Sequence, residues 1–403
     1  PDEEVVAVTA KFGPRNPDPE EEIAENVELP QERLAVGHAS GPGLTFPERA
    51  ATTVANAKSR PTFAAFADDV SAALASAGVD APAYFLAGDG TLLSASAMRS
   101  TPAHALRAGA AASALGLVAL SGVEDAICVD VGGTTTDVIR VADGFPDVET
   151  AAAGSLETGY DSVRATSLPL GGDSRVTAEG LVPRREGNAA AVGGSDPTLT
   201  DALHVTGTIA GEGGDEQAAR ASFERFEEPQ QVARDAVESY VDRVGGTVES
   251  VATGRDTLLA GGVLAPSLAD QIASSSSSLD EVVVPDHAAV AGAVGCAVAR
   301  VSVRTRVHVD SARGRETVSA VGTTVEDVER GRQFGDDEIE PLTVEHARRA
   351  AREAGAEEDE LSPVDLLDSR QFTVVEDAVV TGQVVHATAR VRPGLRTYLE
   401  GEP

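Results

Sequence analysis

The sequence predicts an α/β fold, and three observations lead to this prediction. Short apolar segments rich in Val, Ile and Leu alternate along the chain with longer segments that have helical spacing or are rich in Ala. Two of the apolar segments, Ala126–Val129 and Val138–Val141, flank a glycine-rich turn, which is the order strand, turn, strand. A third segment, Thr257–Ala260, leads through two glycines into a helical pattern, as a strand does in a βα unit.

Four segments precede this turn. Val5–Val8 is a short apolar segment, and Tyr84–Ala87 is predicted to be a buried strand. Residues 62–77 have apolar side chains at helical spacing, and the glycine that follows predicts the end of that helix. Thr101 and Pro102 are an N-cap and a first helical residue, so an Ala-rich helix is predicted from there to about Leu120.

The segments after the turn follow the same alternation. They are a strand near Val148–Ala152, a loop-rich stretch at 171–200, a helix from Pro229 to Val244 ended by Gly245 and Gly246, a strand at Glu281–Val284, an Ala/Val/Gly helix from there to about Val301, a charged and partly helical stretch at 326–368, and a Val-rich β-hairpin at 371–392.

The length of 403 residues is enough for two or three domains. We predict an N-terminal α/β part at 1–100, a central domain with the glycine-rich turn at 101–303, and a smaller C-terminal α+β segment at 304–403. The last boundary rests on a change of composition after Arg306, where charged residues become frequent.

The net charge argues against two classes of partner. The chain has 65 acidic and 32 basic residues, which gives a net charge of −33. Nucleic-acid binding needs clustered Lys and Arg, and so does attachment to an anionic membrane surface. The sequence also has no apolar run long enough for a transmembrane helix. We therefore expect neither a nucleic acid nor a membrane as a partner.

The acid excess with only two lysines, Lys11 and Lys58, is typical of a protein from an extreme halophile. The alternative is an acidic surface for a basic partner, but the acids are spread along the whole chain. Cys128 and Cys296 lie in apolar segments, so both are expected to be buried thiols of a reducing cytoplasm. A cytoplasmic protein is therefore predicted.

The turn between the two strands is the main candidate site. It reads Asp-Val-Gly-Gly-Thr-Thr-Thr-Asp from Asp130 to Asp137. Glycines let a phosphate approach the backbone, and successive N–H groups in such a turn form an anion-binding nest. The candidate phosphate ligands are Gly132, Gly133, Thr134, Thr135 and Thr136. Asp130 and Asp137 are the candidate catalytic and Mg²⁺-binding carboxylates. The alternative is an ordinary hairpin turn.

Two other phosphate loops are excluded. A Walker-type loop needs a Gly-Lys-Ser/Thr end, and neither lysine has that context. A dinucleotide-binding loop must open a helix, whereas the β-branched run at 134–138 favours a strand. A phosphate turn between two strands is the arrangement of the actin, sugar-kinase and Hsp70-type ATPases.

Weaker candidates lie further along the chain. Gly261 and Gly262, between a strand and a helix, would let a nucleoside lie against the backbone, or simply allow close packing. The loop 171–174 is a further polar turn. Asp196 and Asp201 would lie near a metal, or else Thr200 or Asp201 would cap the following helix. The seven histidines show no zinc-helix spacing.

These motifs together resemble the hydantoinase A / 5-oxoprolinase family, which includes N-methylhydantoinase and subunits of acetone and acetophenone carboxylases. The resemblance covers roughly residues 1–300. Its segments are the turn at 130–137, the stretch 41–57 against the family's "E…R…TTVLNA", Gly88–Gly90 against "NGG", the helix 107–116 against "SGPxxSxxGA", 196–202 against "PTVTDA", and 260–262 with 285–293 at the nucleotide side.

The resemblance implies an actin-like ATPase (ribonuclease H-like) fold with ATP and Mg²⁺ as cofactors. Family members phosphorylate a cyclic amide or enolate oxygen of a small-molecule substrate, so that a ring opens or a carboxyl group is transferred. The sequence departs from the larger members because no Asp-x-Gly-Gly-Thr motif precedes residue 130. We therefore expect the chain to start inside or after the domain that carries that first motif.

Three functions are compatible with this resemblance. The first is an ATP-dependent amidohydrolase or carboxylase subunit. The second is a non-catalytic nucleotide-binding or scaffold subunit that works with a hydantoinase B-type partner, which the missing first motif favours. The third is a sugar- or acid-kinase-like phosphotransferase, which the order of the flanking segments disfavours. Each of these functions is compatible with a homo-oligomer.

Overall fold

The computed structural model describes residues 5–14, 16–40, 45–209, 214–320 and 323–399. Contacts divide the chain into two units, which are described separately. The first unit contains residues 1–108, 148–162 and 299–394, and the second contains 109–147, 163–298 and 395–403. The contacts thus group most of the predicted N-terminal part with most of the C-terminal segment. The three-part division into separate domains stays a prediction.

The strands are β1 (Val6–Val8), β2 (Leu34–Val36), β3 (Tyr84–Leu86), β4 (Leu92–Ser94), β5 (Ala126–Val131), β6 (Thr136–Ala142), β7 (Phe145–Pro146), β8 (Val148–Ala153), β9 (Leu156–Val163), β10 (Ala165–Leu168), β11 (Ser174–Thr177), β12 (Gly180–Arg185), β13 (Thr257–Gly261), β14 (Glu281–Val283), β15 (Arg304–Asp310), β16 (Arg315–Ser319), β17 (Thr323–Asp327), β18 (Val364–Glu376) and β19 (Val379–Val391). The α-helices are α1 (Asp18–Glu25), α2 (Gly37–Ser40), α3 (Phe46–Ser76), α4 (Ala95–Ser100), α5 (Ala108–Ser121), α6 (Leu199–Thr206), α7 (Glu216–Phe223), α8 (Pro229–Val251), α9 (Ala265–Ser274), α10 (Ala291–Val298) and α11 (Asp336–Glu353).

The second unit is built on a mixed sheet with the order β10-β6-β5-β13-β14. The neighbours β10, β6 and β5 are antiparallel, whereas β13 and β14 run parallel to β5. Its central strands β5 and β13 consist mainly of buried apolar residues, as expected for strands covered on both faces. The predicted strands at 126–129, 138–141 and 257–260 are therefore confirmed.

Helix α8 contradicts a predicted helix end. The pair Gly245-Gly246 was expected to stop it, but the helix continues to Val251. A Cβ on Gly245 would lie 1.7 Å from Ser275 Oγ, so the glycine lets the end of α9 approach α8 closely. Packing of a buried face that includes Tyr240, Val244 and Val248 outweighs the roughly 1 kcal/mol cost of a glycine within a helix.

Helix α3 is also longer than predicted, because it begins at Phe46 rather than near residue 62 and contains Pro61. Its N-terminal half is buried, and the hydroxyl groups of Thr52 and Thr53 donate to the carbonyls four residues earlier. The predicted helix start at Thr101-Pro102 is a separate 3₁₀ turn. Arg107 has a φ of 62° there, and α5 begins only at Ala108.

Three further predictions need correction or extension. The stretch 171–200 contains the hairpin β11–β12 rather than only loops, because β11 also bridges to Thr198. The helix predicted up to about Val301 ends at Val298. The predicted C-terminal hairpin exists, but its strands β18 and β19 are 13 residues each, and β18 begins within the stretch predicted as partly helical.

The first unit contains a five-stranded antiparallel sheet with the order β17-β16-β15-β19-β18. Alternation along β15 and β19 places Val307, Val309 and Val385 on one face. These residues form a core with Phe334 and with Ile339 of α11. The residues that alternate with them, among them arginines and histidines, belong to the opposite face of the sheet.

No helix within the described ranges is long and apolar enough to cross a membrane. The two cysteines differ from each other. Cys128 is buried, and burial raises the pKa of its thiol, whereas Cys296 is exposed. The prediction that both thiols are buried is therefore wrong for Cys296, because it lies on the outer side of the short helix α10.

A half-buried imidazole in the first unit predicts a pH effect on stability. The His104 ring stacks on Tyr160 with a centroid distance of 3.5 Å, and burial lowers the pKa of His104 to about 4. In the unfolded chain the pKa is about 6.5, so between pH 6.5 and 4 only the unfolded chain binds the proton. We expect stability to fall as the pH falls through this window, by up to about 3 kcal/mol.

The measurement is urea unfolding at pH 7, 6 and 5 and constant ionic strength, for the parent protein and His104→Phe. The difference in unfolding free energy between the two should shrink toward pH 5, because the phenylalanine does not titrate. Parallel pH profiles would show that His104 is not kept neutral by burial.

Candidate functional site

The glycine-rich turn joins the ends of β5 and β6 in the second unit. The strands pair antiparallel up to Val131 and Thr136, and Asp130 lies opposite Asp137. The N–H of Gly132 donates to Thr135 O at 3.0 Å, which closes the turn. Strand, turn and strand are thus confirmed, and the two aspartates form the second-last residue pair before the turn.

The turn exposes unused donors. Gly133 and Thr134 are exposed, and Thr135 is half-buried. Within the described part of the chain, the backbone N–H groups of these three residues make no hydrogen bond to another protein group. Three successive N–H donors on glycine and threonine residues suit the oxygens of a phosphate. The residues present therefore fit an anionic group at this turn.

A second loop supports the turn from one side. The N–H of Gly172 donates to Gly132 O at 3.0 Å, and the N–H of Asp173 donates to Gly133 O at 2.7 Å. A Cβ on Gly171 would lie 2.5 Å from Gly132 O, so only glycine allows this approach. The loop thus binds two carbonyls of the turn and does not use the N–H groups of Gly133, Thr134 and Thr135. The polar loop at 171–174 is thus part of the site.

The loop is itself held by α6. The N–H and the hydroxyl of Thr200 both donate to Gly172 O, each at 2.9 Å. Sequence reasoning named Thr200 only as a possible helix cap, a role that Thr198 has instead, because the contact of Thr200 with residue 172 is invisible without the fold. Thr200 lies in the family-like stretch 196–202, which is the one signal that could have pointed to it.

The carboxylates around the turn have different partners. Asp130 is half-buried and accepts a short hydrogen bond from Ser113 Oγ on α5. Asp173 Oδ2 lies 3.1 Å from Arg185 Nε and 2.9 Å from the position of a Cβ on Gly133. Ser113 was also missed, although it matches the serine in the family's "SGPxxSxxGA" segment.

Among the described residues, no group of three or more His, Cys, Asp and Glu side chains could enclose a metal ion. Mg²⁺ at nucleotide sites usually has one or two carboxylates, with waters and phosphate oxygens completing its octahedron. Asp130 and Asp137, which face each other across the strand pair, fit that donor set.

Thr136 differs from the other two threonines. It is fully buried, and its hydroxyl lies 2.8 Å from Leu170 O and 2.6 Å from Tyr240 Oη. This hydroxyl connects the turn to the core beneath it. We therefore leave Thr136 out of the groups proposed to contact a ligand, although it positions those that do.

The two glycines at the end of β13, Gly261 and Gly262, pack tightly against neighbouring segments of the chain. A Cβ on Gly261 would lie 2.9 Å from the Leu117 side chain, and a Cβ on Gly262 would lie 2.2 Å from Val131 O. Gly262 also has a φ of 93°, which favours glycine. Gly262 therefore brings the end of β13 beside the strand that leads into the turn. Gly261 is buried against α5, so the packing alternative describes it better.

The two aspartates near residue 200 are not a metal site. Asp201 is buried and accepts hydrogen bonds from the N–H groups of Ala190, Ala191 and Thr198, which makes it a cap of α6. Asp196 pairs with Arg225 at the surface. The capping alternative is thus confirmed for Asp201. Of the family-like stretch 41–57, residues 41–44 lie outside the described residues.

Comparisons with known proteins found a matching family and similar solved structures. A model of the family "Hydantoinase/oxoprolinase" matches residues 49–305. A search of curated proteins found no match. Among solved structures, a nucleotide-free acetone carboxylase, from work on ATP-dependent acetone carboxylation, is 17% identical with a TM-score of 0.67. That alignment covers 95% of this chain and 63% of the other.

A second similar structure is the ATP-dependent caprolactamase from Pseudomonas jessenii, which is 19% identical with a TM-score of 0.65. The alignment covers 99% of this chain and 66% of that one, so this chain spans just under two thirds of the length of both structures. At these identities the likeness shows the fold. The predicted actin-like ATPase fold with a C-terminal α+β segment is therefore confirmed.

Proposed function

Because the chain belongs to the hydantoinase/oxoprolinase family, we propose that it takes part in the ATP-dependent activation of an amide or carbonyl oxygen of a small molecule. The observation that carries this proposal is the turn 132–135, in which the N–H groups of Gly133, Thr134 and Thr135 make no hydrogen bond among the described residues, while the loop 171–173 binds two of its carbonyls. The two similar structures are an acetone carboxylase, from work on ATP-dependent acetone carboxylation, and an ATP-dependent caprolactamase. Activation of a carbonyl or lactam oxygen is common to such reactions.

We assign phosphate binding to the backbone N–H groups of Gly133, Thr134 and Thr135 and to the two threonine hydroxyls. Asp130 and Asp137 would hold Mg²⁺ directly or through water, and the ion would neutralise charge on the phosphates. Ser113 orients the Asp130 carboxylate through its hydrogen bond. Gly262 lets the end of β13 lie against the backbone of Val131, next to the turn, and we place the rest of the nucleotide beside this strand end.

The chemistry assigned to these residues is positioning and charge stabilisation. Transfer of the terminal phosphoryl group to an amide or enolate oxygen forms a P–O bond and breaks the bond to the ADP oxygen. For an amide, the carbon that bears the phosphorylated oxygen is then open to attack by water, and release of inorganic phosphate and cleavage of the C–N bond open the ring. For an enolate, cleavage of the P–O bond frees the enolate, whose carbon forms a bond to CO2. N–H donors already aimed at the phosphate need little reorganisation as charge shifts in the transition state.

The second candidate is a nucleotide-binding or scaffold subunit whose partner, of the hydantoinase B type, carries the carbonyl chemistry. One observation favours it: the 403 residues contain a single Asp-x-Gly-Gly-Thr motif. A phosphoryl group held from one side only would need further groups to complete its site. The kinase-like alternative has no such supporting observation.

The test is thermal unfolding with and without Mg·ATP in molar KCl. A ligand that binds only the folded state stabilises it by RT ln(1 + [L]/Kd), about 2.7 kcal/mol at a hundredfold excess over Kd. We expect the midpoint to rise with millimolar Mg·ATP, and the rise to be lost in Asp137→Asn. Asp242→Asn is the matched control, since it makes the same charge change on an exposed residue of α8.

An unchanged midpoint for the parent protein would contradict nucleotide binding by this chain. An Asp137→Asn protein that keeps the full shift would contradict the role of that carboxylate. If ATP binds but ring opening or carboxylation needs an added partner subunit, the second candidate is the correct one.

A further inference from the structure

The first unit has a cavity of about 640 Å³ over the polar face of its five-stranded sheet. His308 of β15 lies opposite His386 of β19, and Arg306 lies opposite Thr388 and Ser319. In antiparallel pairs, opposite residues project to the same face. These side chains therefore line the cavity together, and nothing in the proposed function uses them.

Two charged side chains that line this cavity have no hydrogen-bond or ion-pair partner among the described residues. Arg306 and Glu48, the latter on α3, both line it and are both half-buried. Neither side chain makes a hydrogen bond or an ion pair within the described residues. The other two arginines that line the cavity do have acidic partners. Arg304 pairs with Asp161, and Arg370 pairs with Asp368 at 3.3 Å.

The electrostatics agree with this geometry. Burial raises the pKa of the Glu48 carboxyl, and Arg306 opposes that shift. Burial also lowers the pKa of the Arg306 guanidinium, and the charge of Arg304 adds to that shift. Both charges have thus lost water without gaining a partner, which is costly in a folded protein. The two charges attract each other across the cavity, but they form no direct ion pair.

A ligand with one charge fits this cavity poorly. A simple anion on Arg306 would meet the Glu48 carboxylate, and a simple cation on Glu48 would meet the guanidinium. The remaining lining includes the hydroxyl groups of Thr317 and Thr388 and the exposed ring of Phe372, so a ligand with a short side chain has polar and apolar surface to contact. The volume lies within the usual range of about 300–1,000 Å³ for small-molecule sites.

We propose that this cavity binds a small zwitterion of the α-amino acid type, with its carboxylate on Arg306 and its ammonium group on Glu48. One ligand then neutralises both half-buried charges, and charge-assisted hydrogen bonds replace the lost water. The proposal does not depend on nucleotide binding, because every residue it uses belongs to the first unit.

The experiment screens each common L-amino acid at millimolar concentration by thermal shift, followed by calorimetric titration of the best one. Its deaminated acid and its decarboxylated amine are the single-charge controls. We expect at least one amino acid to bind and both single-charge analogues to bind about tenfold or more weakly, as for loss of one charge-assisted hydrogen bond. If no amino acid binds, or if an analogue binds as well as its parent, the proposal is wrong.

Variants locate the site. Glu48→Gln and Arg306→Gln should each weaken amino-acid binding about tenfold or more, while Arg352→Gln, which changes an exposed arginine outside the cavity, should leave it unchanged. Without ligand, the first two should be at least as heat-stable as the parent, because each removes an unpaired charge. Should one of them fail to fold, Arg306→Lys and Glu48→Asp keep the charge but shorten its reach. Unweakened binding in the folded variants would overturn the assignment.

Discussion

In 2 M KCl the chain is expected to be folded, and at an ionic strength of about 0.05 M it is expected to be largely unfolded, because screening changes the range of charge repulsion several-fold. The chain has 65 acids and 32 bases, so even complete one-to-one pairing would leave 65 − 32 = 33 acids unpaired. The Debye length is about 30 Å at 0.01 M and about 3 Å at 1 M, so molar salt removes most of this repulsion.

The structure adds to this expectation. Acidic side chains cluster at helix starts, as at Asp336–Glu338 of α11, where repulsion acts over one turn. Aromatic residues are 3% of the chain, and its core consists mainly of Ala, Val and Leu, so burial per residue is modest. Little stability is therefore left to offset repulsion once salt is withdrawn.

Circular dichroism and thermal unfolding across a KCl series measure the effect. Sodium sulfate at matched ionic strength separates screening from salting-out, since sulfate strengthens hydrophobic burial beyond its screening effect. A protein that is equally folded and equally heat-stable at both ends of the series would show that the acidity is not a salt adaptation. The basic-partner alternative would then be the better explanation of the charge.

Gly116→Ala is expected to destabilise the second unit by about 3 kcal/mol or more, since extra methyl groups in a tightly packed site force backbone shifts. A Cβ on Gly116 of α5 would lie 1.8 Å from Ala291 O on α10. The contact is reciprocal, because a Cβ on Gly295 of α10 would lie 1.9 Å from Ala112 O. Both obstacles are backbone atoms, so no side-chain rotation can relieve the overlap.

The matched control is Gly109→Ala in the same helix, where a Cβ would meet no atom within 4 Å. That change should stabilise α5 by up to about 1 kcal/mol, because alanine is the better helix former. The measurement is the thermal midpoint of each variant in molar KCl. If Gly116→Ala and Gly109→Ala shift the midpoint in the same direction, α5 and α10 are not in the contact described here.

Sequence reasoning succeeded where the signal was local. The turn at 130–137 was recognisable because glycines, threonines and flanking apolar strands act over a few residues, and the structure has strand, turn and strand at these positions. Sequence reasoning failed where packing overruled a local signal. Helix α3 begins well before the predicted start and contains Pro61, because most of its buried residues precede that proline, and α8 continues past Gly245 to bury Val248.

Within the candidate site, sequence alone could name the turn but could not sort its residues. Thr134, Thr135 and Thr136 are chemically identical, yet only Thr136 is buried against Leu170 and Tyr240. The start of β6 decides this, because Thr134 and Thr135 lie in the turn, whereas Thr136 is the first residue of the strand and contacts Tyr240 of α8. Ser113 and Thr200 became part of the site in the same way, through contacts with residues far away in the chain.

The sequence by itself determined the α/β class, the phosphate-type turn, the family resemblance and the charge, because composition and short motifs are local properties. Only the tertiary structure decided that the loop 171–173 takes the carbonyls of the turn, and that Glu48 and Arg306 share one cavity. The physical reason is that these arrangements depend on helix and strand packing between residues distant in sequence. Such packing is set by burial of the whole core, and no short segment contains that information.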